Sequence, residues 1–240
     1  MRELTEKLDG LMGRGQWDEA ETLLLSARDR ALERGDESMA LSVESERMGF
    51  YRMHDQPEGF FAAKESALSL LNRVRIDRRA RGTILINAAT GLVAFGRAEE
   101  ALPLYTETET LYNAVLRPGD YLFAALYNNM ASAFAALGDY GKAVGQTRRA
   151  LAVLEKLPHH PDLATTWVNL AQLYAAFDKE SDKVTDALDH ARAAFDDPEM
   201  KWDGYYAHTA QKCAGAFAAL GRAEDAAELR ERVELIYAGT

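Results

Sequence analysis

One pattern constrains this chain more than any other: a turn, then an aromatic or apolar residue, then an alanine three positions further on, returning about every 41 residues. With Ala143 as the reference, the alanine recurs at Ala20, Ala63, Ala101, Ala187 and Ala226, at intervals of 43, 38, 42, 44 and 39 residues. That period is too long for a coiled-coil heptad and suits a helix–turn–helix unit. Such a hairpin buries one face against its mate and leaves another apolar face open, so it is stable only when further hairpins stack on it. The pattern therefore predicts an all-α solenoid of about six hairpins. It runs as one repeat domain over residues 1–240, with units near 1–36, 37–74, 75–117, 118–158, 159–198 and 199–240.

The fourth unit is the clearest. Residues 121–151 read as two helices joined by Gly138-Asp139, with Ala131, Ala143 and Ala150 where backbones approach and Phe134, Leu137, Tyr140 and Leu151 filling the space around them. The second unit matches least well, having Pro57 in its turn. The fifth carries about four extra residues in DKESDKV (178–184), expected to lengthen its turn. Pro57, Pro118, Pro158, Pro161 and Pro198 fall between the periodic segments, and Pro103 is expected in the first turn of a helix, where it is tolerated. The last helix is rich in Glu and Arg, expected on its outer side as a terminal repeat needs for solubility.

Composition narrows the function classes. At 48% hydrophobic and 28% charged the chain is an ordinary globular one, and a formal charge of −10 disfavours nucleic acid and anionic membranes as partners. The start, Met-Arg-Glu-Leu-Thr-Glu-Lys, has no apolar core of a secretory signal and no window approaches a membrane span, so the cytoplasm is the expected compartment. No phosphate loop, nucleophile elbow, metal-binding helix or catalytic constellation is found, so neither enzyme activity nor a cofactor nor a metal is expected. The single cysteine, Cys213, reads as a core thiol because it holds the repeat position of Met130 and Leu170, and His208, five residues away on another helix face, is not placed to activate it. His159-His160, between two prolines, reads as loop filler. The cluster Trp202, Tyr205, Tyr206 is expected to pack against the fifth unit.

The series of small residue, turn, aromatic and alanine, matched best in ASAFAALGDYGKA, resembles the tetratricopeptide repeat, and the resemblance covers essentially the whole chain. The longer period and the phrases HPDLATTWVNLAQLY and LYNNMASAF are similar to the kinesin-light-chain subtype of that repeat. The resemblance implies a right-handed superhelix whose first helix in each hairpin lines a concave groove. Two residues before the small residue stand Asn87, Asn129 and Asn169, and Lys212 in the last unit. In the family such asparagines often hydrogen-bond an extended peptide, for which Asn suits as both donor and acceptor. The alternative is that each amide bonds a neighbouring helix and stiffens the stack. Co-chaperones of the family hold a partner's C-terminal carboxylate with Lys and Asn, then Asn, then Lys and Arg over three repeats. Here those positions fall on Asn128 and Ser132, Asn169, and His208 and Lys212. Asn169 matches and Lys212 keeps the charge, while the other three depart, so a full clamp is not expected, and a weakened carboxylate or acidic-peptide site stands as the alternative to a plain, solvated groove surface.

Arg73, Arg75, Arg78, Arg79 and Arg81 gather around one junction between units and form a candidate patch for an acidic or phosphorylated ligand, a solvated face being the alternative. Together these features point to a non-enzymatic scaffold that binds an extended segment of a partner protein. Two other readings stay open: a self-assembling homo-oligomer, and a sensor of small signalling peptides, which would need an effector domain that these residues do not display.

Overall fold

The computed structural model describes residues 1–157, 159–177 and 181–239. Within them the chain forms twelve α-helices and no strand. They divide into two compact units, Met1–Leu116 and Arg117–Thr240. The first holds α1 (Arg2–Gly13), α2 (Trp17–Glu33), α3 (Glu37–Met53), α4 (Pro57–Leu71), α5 (Arg78–Ala94) and α6 (Ala98–Asn113). The second holds α7 (Tyr121–Ala136), α8 (Tyr140–Leu154), α9 (Pro161–Phe177), α10 (Ser181–Phe195), α11 (Gly204–Ala219) and α12 (Ala223–Ala238). Within each unit consecutive helices pair as antiparallel hairpins, and successive hairpins stack, α3 on α5 and α9 on α11.

The turns explain why the hairpins close where they do. After α7 the chain enters the left-handed region at Gly138, φ 75°, which only glycine adopts without strain. There the Gly138 amide donates to Ala135 O and the Asp139 amide to Phe134 O, satisfying the carbonyls that the helix end would leave orphaned. Asp139 then caps α8, its carboxylate accepting from the Lys142 amide at 3.1 Å. The α3–α4 hairpin makes the same turn with Asp55 at φ 52°, an acidic residue in glycine's place, which is why that unit matches the pattern least well.

All six reference alanines are buried, between 0% and 1% exposed, where a larger side chain would force two helices apart. Close approach is carried further at Gly91 of α5, where an added Cβ would stand 2.0 Å from the Phe60 ring of α4. In the second unit Phe195, Tyr206 and Phe217 fill the core between the last two hairpins. Tyr206 is buried and stacks on the half-exposed Trp202, while Tyr205 is half-exposed.

Several sequence expectations need correction. Pro57 does not interrupt a turn; it is the first residue of α4, where its missing N–H costs nothing. Pro103 lies in the second turn of α6 rather than the first, because that helix begins at Ala98. Leu137 caps α7 and is 38% exposed instead of filling the hairpin. The arginines of α12 do not all face outward. Arg232 turns inward to Asp196 at 2.6 Å and donates to Phe195 O, and Arg222 reaches Asp189 on α10. The lengthened turn expected in the fifth unit falls on residues 178–180, outside the described residues, as does Pro158. Residues 181–184 form the first turn of α10.

Candidate binding groove

In the unit Arg117–Thr240, the first helix of each hairpin, α7, α9 and α11, contributes to a concave pocket of about 460 Å³. Its surface is mostly uncharged and polar: Asn128, Asn129 and Ser132 from α7, Asn169 and Gln172 from α9, with Lys212 from α11. Residues four apart on a helix share a face, which is how Asn128 and Ser132 come to line one wall and Thr165 and Asn169 another.

The amides are not equivalent. Asn128 donates to Thr166 Oγ1 at 2.8 Å, holding α7 to α9, while its buried Oδ1 accepts nothing. Asn129 donates back to Ala125 O within its own helix, and Ser132 likewise to Asn128 O. Asn169 makes no hydrogen bond with the described residues and faces the pocket with both its donor and its acceptor. Lys212 is exposed and has no ion-pair partner among them. His208, one turn before Lys212, is exposed and stands apart from the pocket lining. Asn87 belongs to the other unit, where it donates to Ser45 Oγ at 2.9 Å and ties α5 to α3. Bonding between neighbouring helices thus describes Asn87 and Asn128, whereas Asn169 and Lys212 are left facing the groove.

The pocket is closed at one end by a cluster that sequence reading missed. Asp162, in the first turn of α9, accepts hydrogen bonds from the hydroxyls of both Tyr121 of α7 and Tyr205 of α11. The His160 ring stacks on Tyr121 at 4.7 Å and meets Tyr205 edge-on at 6.2 Å. Burial and the adjacent carboxylate push the Tyr205 hydroxyl up to about 12 and raise that of Tyr121 as well, so both stay protonated and donate to a carboxylate that cannot donate back. A signal for this cluster existed in the sequence. The bonded partners are 41 and 43 residues apart, one repeat, and all three open the first helix of their units.

Cys213 lies at the floor of the pocket, 2% exposed, its thiol 3.8 Å from Thr165 Oγ1. Burial pushes that thiol up to about 11, which leaves it un-ionised and unsuited to nucleophilic work. The histidines are more than filler. His159 bridges Asp197 and Glu199 at 2.7 and 2.8 Å and fastens the loop before α9 to the one before α11. Among the described residues no group of three or more His, Cys, Asp or Glu side chains is placed to hold a metal ion, and no helix is long and apolar enough to cross a membrane.

The arginine patch of the first unit is partly spent. Arg73 pairs with Glu37 at 3.0 Å, and Arg81 pairs with Glu107 at 2.9 Å while donating to Leu71 O. Arg75, Arg78 and Arg79 remain exposed.

The groove residues fall within a recognisable repeat. Residues 122–197 match the family model for the tetratricopeptide repeat. Over that stretch the chain carries tetratricopeptide repeats. No curated protein sequence matches it. Among solved structures it is similar to the nearly identical tetratricopeptide-like repeats of a putative kinesin light chain from Podosopora anserina, at 21% identity and a TM-score of 0.60, over 83% of this chain and 95% of that one. It is also similar to BtubC (BKLC) from P. vanneervenii, at 18% identity and a TM-score of 0.64, over 94% and 91% of the two chains. A Rap protein complexed with competence and sporulation factor matches at 18% identity and a TM-score of 0.65, over 97% of this chain and 73% of the other. At these identities the likeness is one of fold, kinesin-light-chain-like repeats among the relatives. The tetratricopeptide hairpin of α7 and α8 is the stretch from which the whole period was read.

Proposed function

We propose that this tetratricopeptide repeat protein is a non-enzymatic, cytoplasmic interaction module whose second unit binds an extended segment of a partner protein along α7, α9 and α11. The observation that carries the reading is the unspent polar surface of the pocket. Asn169 offers a donor and an acceptor, and Lys212 has no counter-ion among the described residues. An extended peptide supplies alternating N–H and C=O groups that complete them. The Rap protein solved with competence and sporulation factor lends support from a chain of similar fold.

A randomised peptide array probed with the full chain tests this. Binders are expected, and Lys212→Ala should weaken the best of them by roughly 10-fold or more, the scale of a charge-assisted hydrogen bond. Lys156→Ala, exposed just beyond α8, should leave them unchanged. Equal loss in both variants, or binders indifferent to Lys212, would count against the groove.

A self-assembling reading draws on Leu235 and Tyr237, each 59% exposed on α12. Light scattering separates the two: a monomer whose groove variants lose peptide binding favours the module, and a larger species insensitive to those variants favours assembly.

A further inference from the structure

Asp162 is a half-buried carboxylate lining a pocket, and the groups that hold it are neutral. Tyr205 donates to Oδ1 at 2.5 Å and Tyr121 donates to Oδ2, and no cation pairs with either oxygen among the described residues. A carboxylate offers about four acceptor positions, so two stay open. Charged carboxylates at a protein surface are ordinarily solvated or ion-paired. This one sits beside three rings in mutual contact, Tyr121, His160 and Tyr205, and no cation is paired with it among the described residues.

The position of Asp162 near the start of α9 accounts for an acid there, because a helix N-terminus favours negative charge. It does not account for the aromatic surround drawn from three hairpins. Aromatic rings attract cations electrostatically, and a carboxylate beside such rings is complementary to an ammonium or, better, a planar guanidinium that stacks and donates two parallel hydrogen bonds. Lys212 does not compete for the site. It neighbours Cys213, whose thiol touches Thr165, one turn beyond Asp162. The side chains of Asp162 and Lys212 both line the pocket, and no ion pair joins them among the described residues.

We infer that Asp162, framed by Tyr121, His160 and Tyr205, is the subsite that takes a basic side chain, arginine above all, of the peptide lying in the groove. The inference rests on the reading of the groove as a peptide site and names the chemistry at one end of it. The bound arginine stacks along the rings, accepts no proton and gives none, and makes Asp162 a paired charge while both tyrosine hydroxyls keep their bonds. Asn169 and Lys212 hold the same repeat position on neighbouring hairpins, about two turns along from the Asp162 level, and there the same peptide presents backbone carbonyls or an acidic group.

The test uses the full chain and two capped hexapeptides, N-acetylated and C-amidated, built from Ser, Asn and Gly around one central residue. That residue is arginine in one peptide and its neutral isostere citrulline in the other, so the side chain carries the only difference in charge. Amide chemical-shift titration of the isotope-labelled protein reads both affinity and place. The arginine peptide should bind at least about 10-fold tighter than the citrulline peptide, with shifts centred on the start of α9 and on α11. In Asp162→Asn, which keeps an acceptor for one tyrosine, the ratio should fall to near one. In Lys212→Ala the ratio should persist although both affinities drop. Equal binding of the two peptides by the native chain, or an unchanged ratio in Asp162→Asn, overturns the subsite and leaves the groove reading standing. Absence of saturable shifts with either peptide overturns both. Because Asp162→Asn can also loosen the hairpins, Tyr205→Phe serves as a second variant: it removes one neutral donor, keeps the charge, and should retain the arginine preference. A merely structural Asp162 would lower the melting temperature in Asp162→Asn without moving the arginine-to-citrulline ratio.

Discussion

Cys213 sits where a thiol is hardest to ionise. It is enclosed by α9 and α11, and the burial that raises it to about 11 outweighs the opposing pull of Thr165 and of the Lys212 charge. Two outcomes follow from that one displacement. The native thiol should react with a disulfide reagent at pH 8 orders of magnitude more slowly than after denaturation, since the thiolate is the nucleophile. Stability should also carry a pH signature. The unfolded thiol ionises near 9 and the folded one near 11, so the contribution is complete below 9 and is lost as pH rises from 9 to 11, about 2 to 3 kcal/mol in all. Melting temperatures of the native chain and of Cys213→Ala, measured across that window, check it: the native curve should fall more steeply, and parallel curves would show that the thiol is not held as the geometry says. The alanine marks make the same point about single positions. Ala143, completely buried, was legible as a contact from its spacing alone, because only a small residue recurs unchanged where two helix axes meet.

At the scale of elements, the buried pair on α3 is the feature that spacing alone does not reveal. Glu44 and Arg47 are 0% and 4% exposed and join at 2.6 Å. Arg47 also donates to the Tyr51 hydroxyl, which donates to Glu21 of α2 at 2.8 Å. Glu44 Oε1 and Arg47 Nε are left without partners, so the network is incomplete and its removal should be less costly than its disruption. Arg47→Met alone, which strands a buried carboxylate, is expected to cost about 3 to 5 kcal/mol, whereas Glu44→Leu with Arg47→Met together should come close to the native stability. Urea unfolding of the single and double variants gives the comparison, and a double variant as unstable as the single one would show that the pair stabilises the fold outright. In the sequence these two residues are an i, i+3 pair like any solvated one, since the spacing records the helix face and not what lies against it. Asp162 is a parallel case. Its helix and its place in the repeat were legible, while its two tyrosines come from the neighbouring hairpins and emerge only when the units are laid over one another. The same repeat position holds Asn169, which lines the pocket, and Asn87, which bonds Ser45, so the spacing gives the helix face and not what each amide meets. Asp55 marks the opposite limit: the turn it makes is the glycine turn, but its residue type hides it.

For the whole molecule the decisive quantity is charge. A chain of formal charge −10 attracts a basic segment from a distance and repels an acidic one, whatever the local contacts then add. If an arginine-bearing peptide is the occupant, long-range attraction should appear in the association rate and hardly in dissociation, which the short contacts at Asp162 and Asn169 govern. The Debye length shrinks from about 30 Å at 0.01 M salt to about 8 Å at physiological strength, so charges spread over the repeats are felt in the first condition and mostly hidden in the second. Stopped-flow mixing of the full chain with the arginine hexapeptide should therefore show an association rate that falls by about 10-fold across that range, with a dissociation rate changed by less than about 2-fold. The citrulline peptide should show neither effect. An occupant held mainly through Lys212 would behave in the reverse sense, because an acidic peptide approaching a negative protein is slowed at low salt and speeds up as salt screens the repulsion. The sign of the salt dependence thus reports which end of the groove, Asp162 or Lys212, selects the partner.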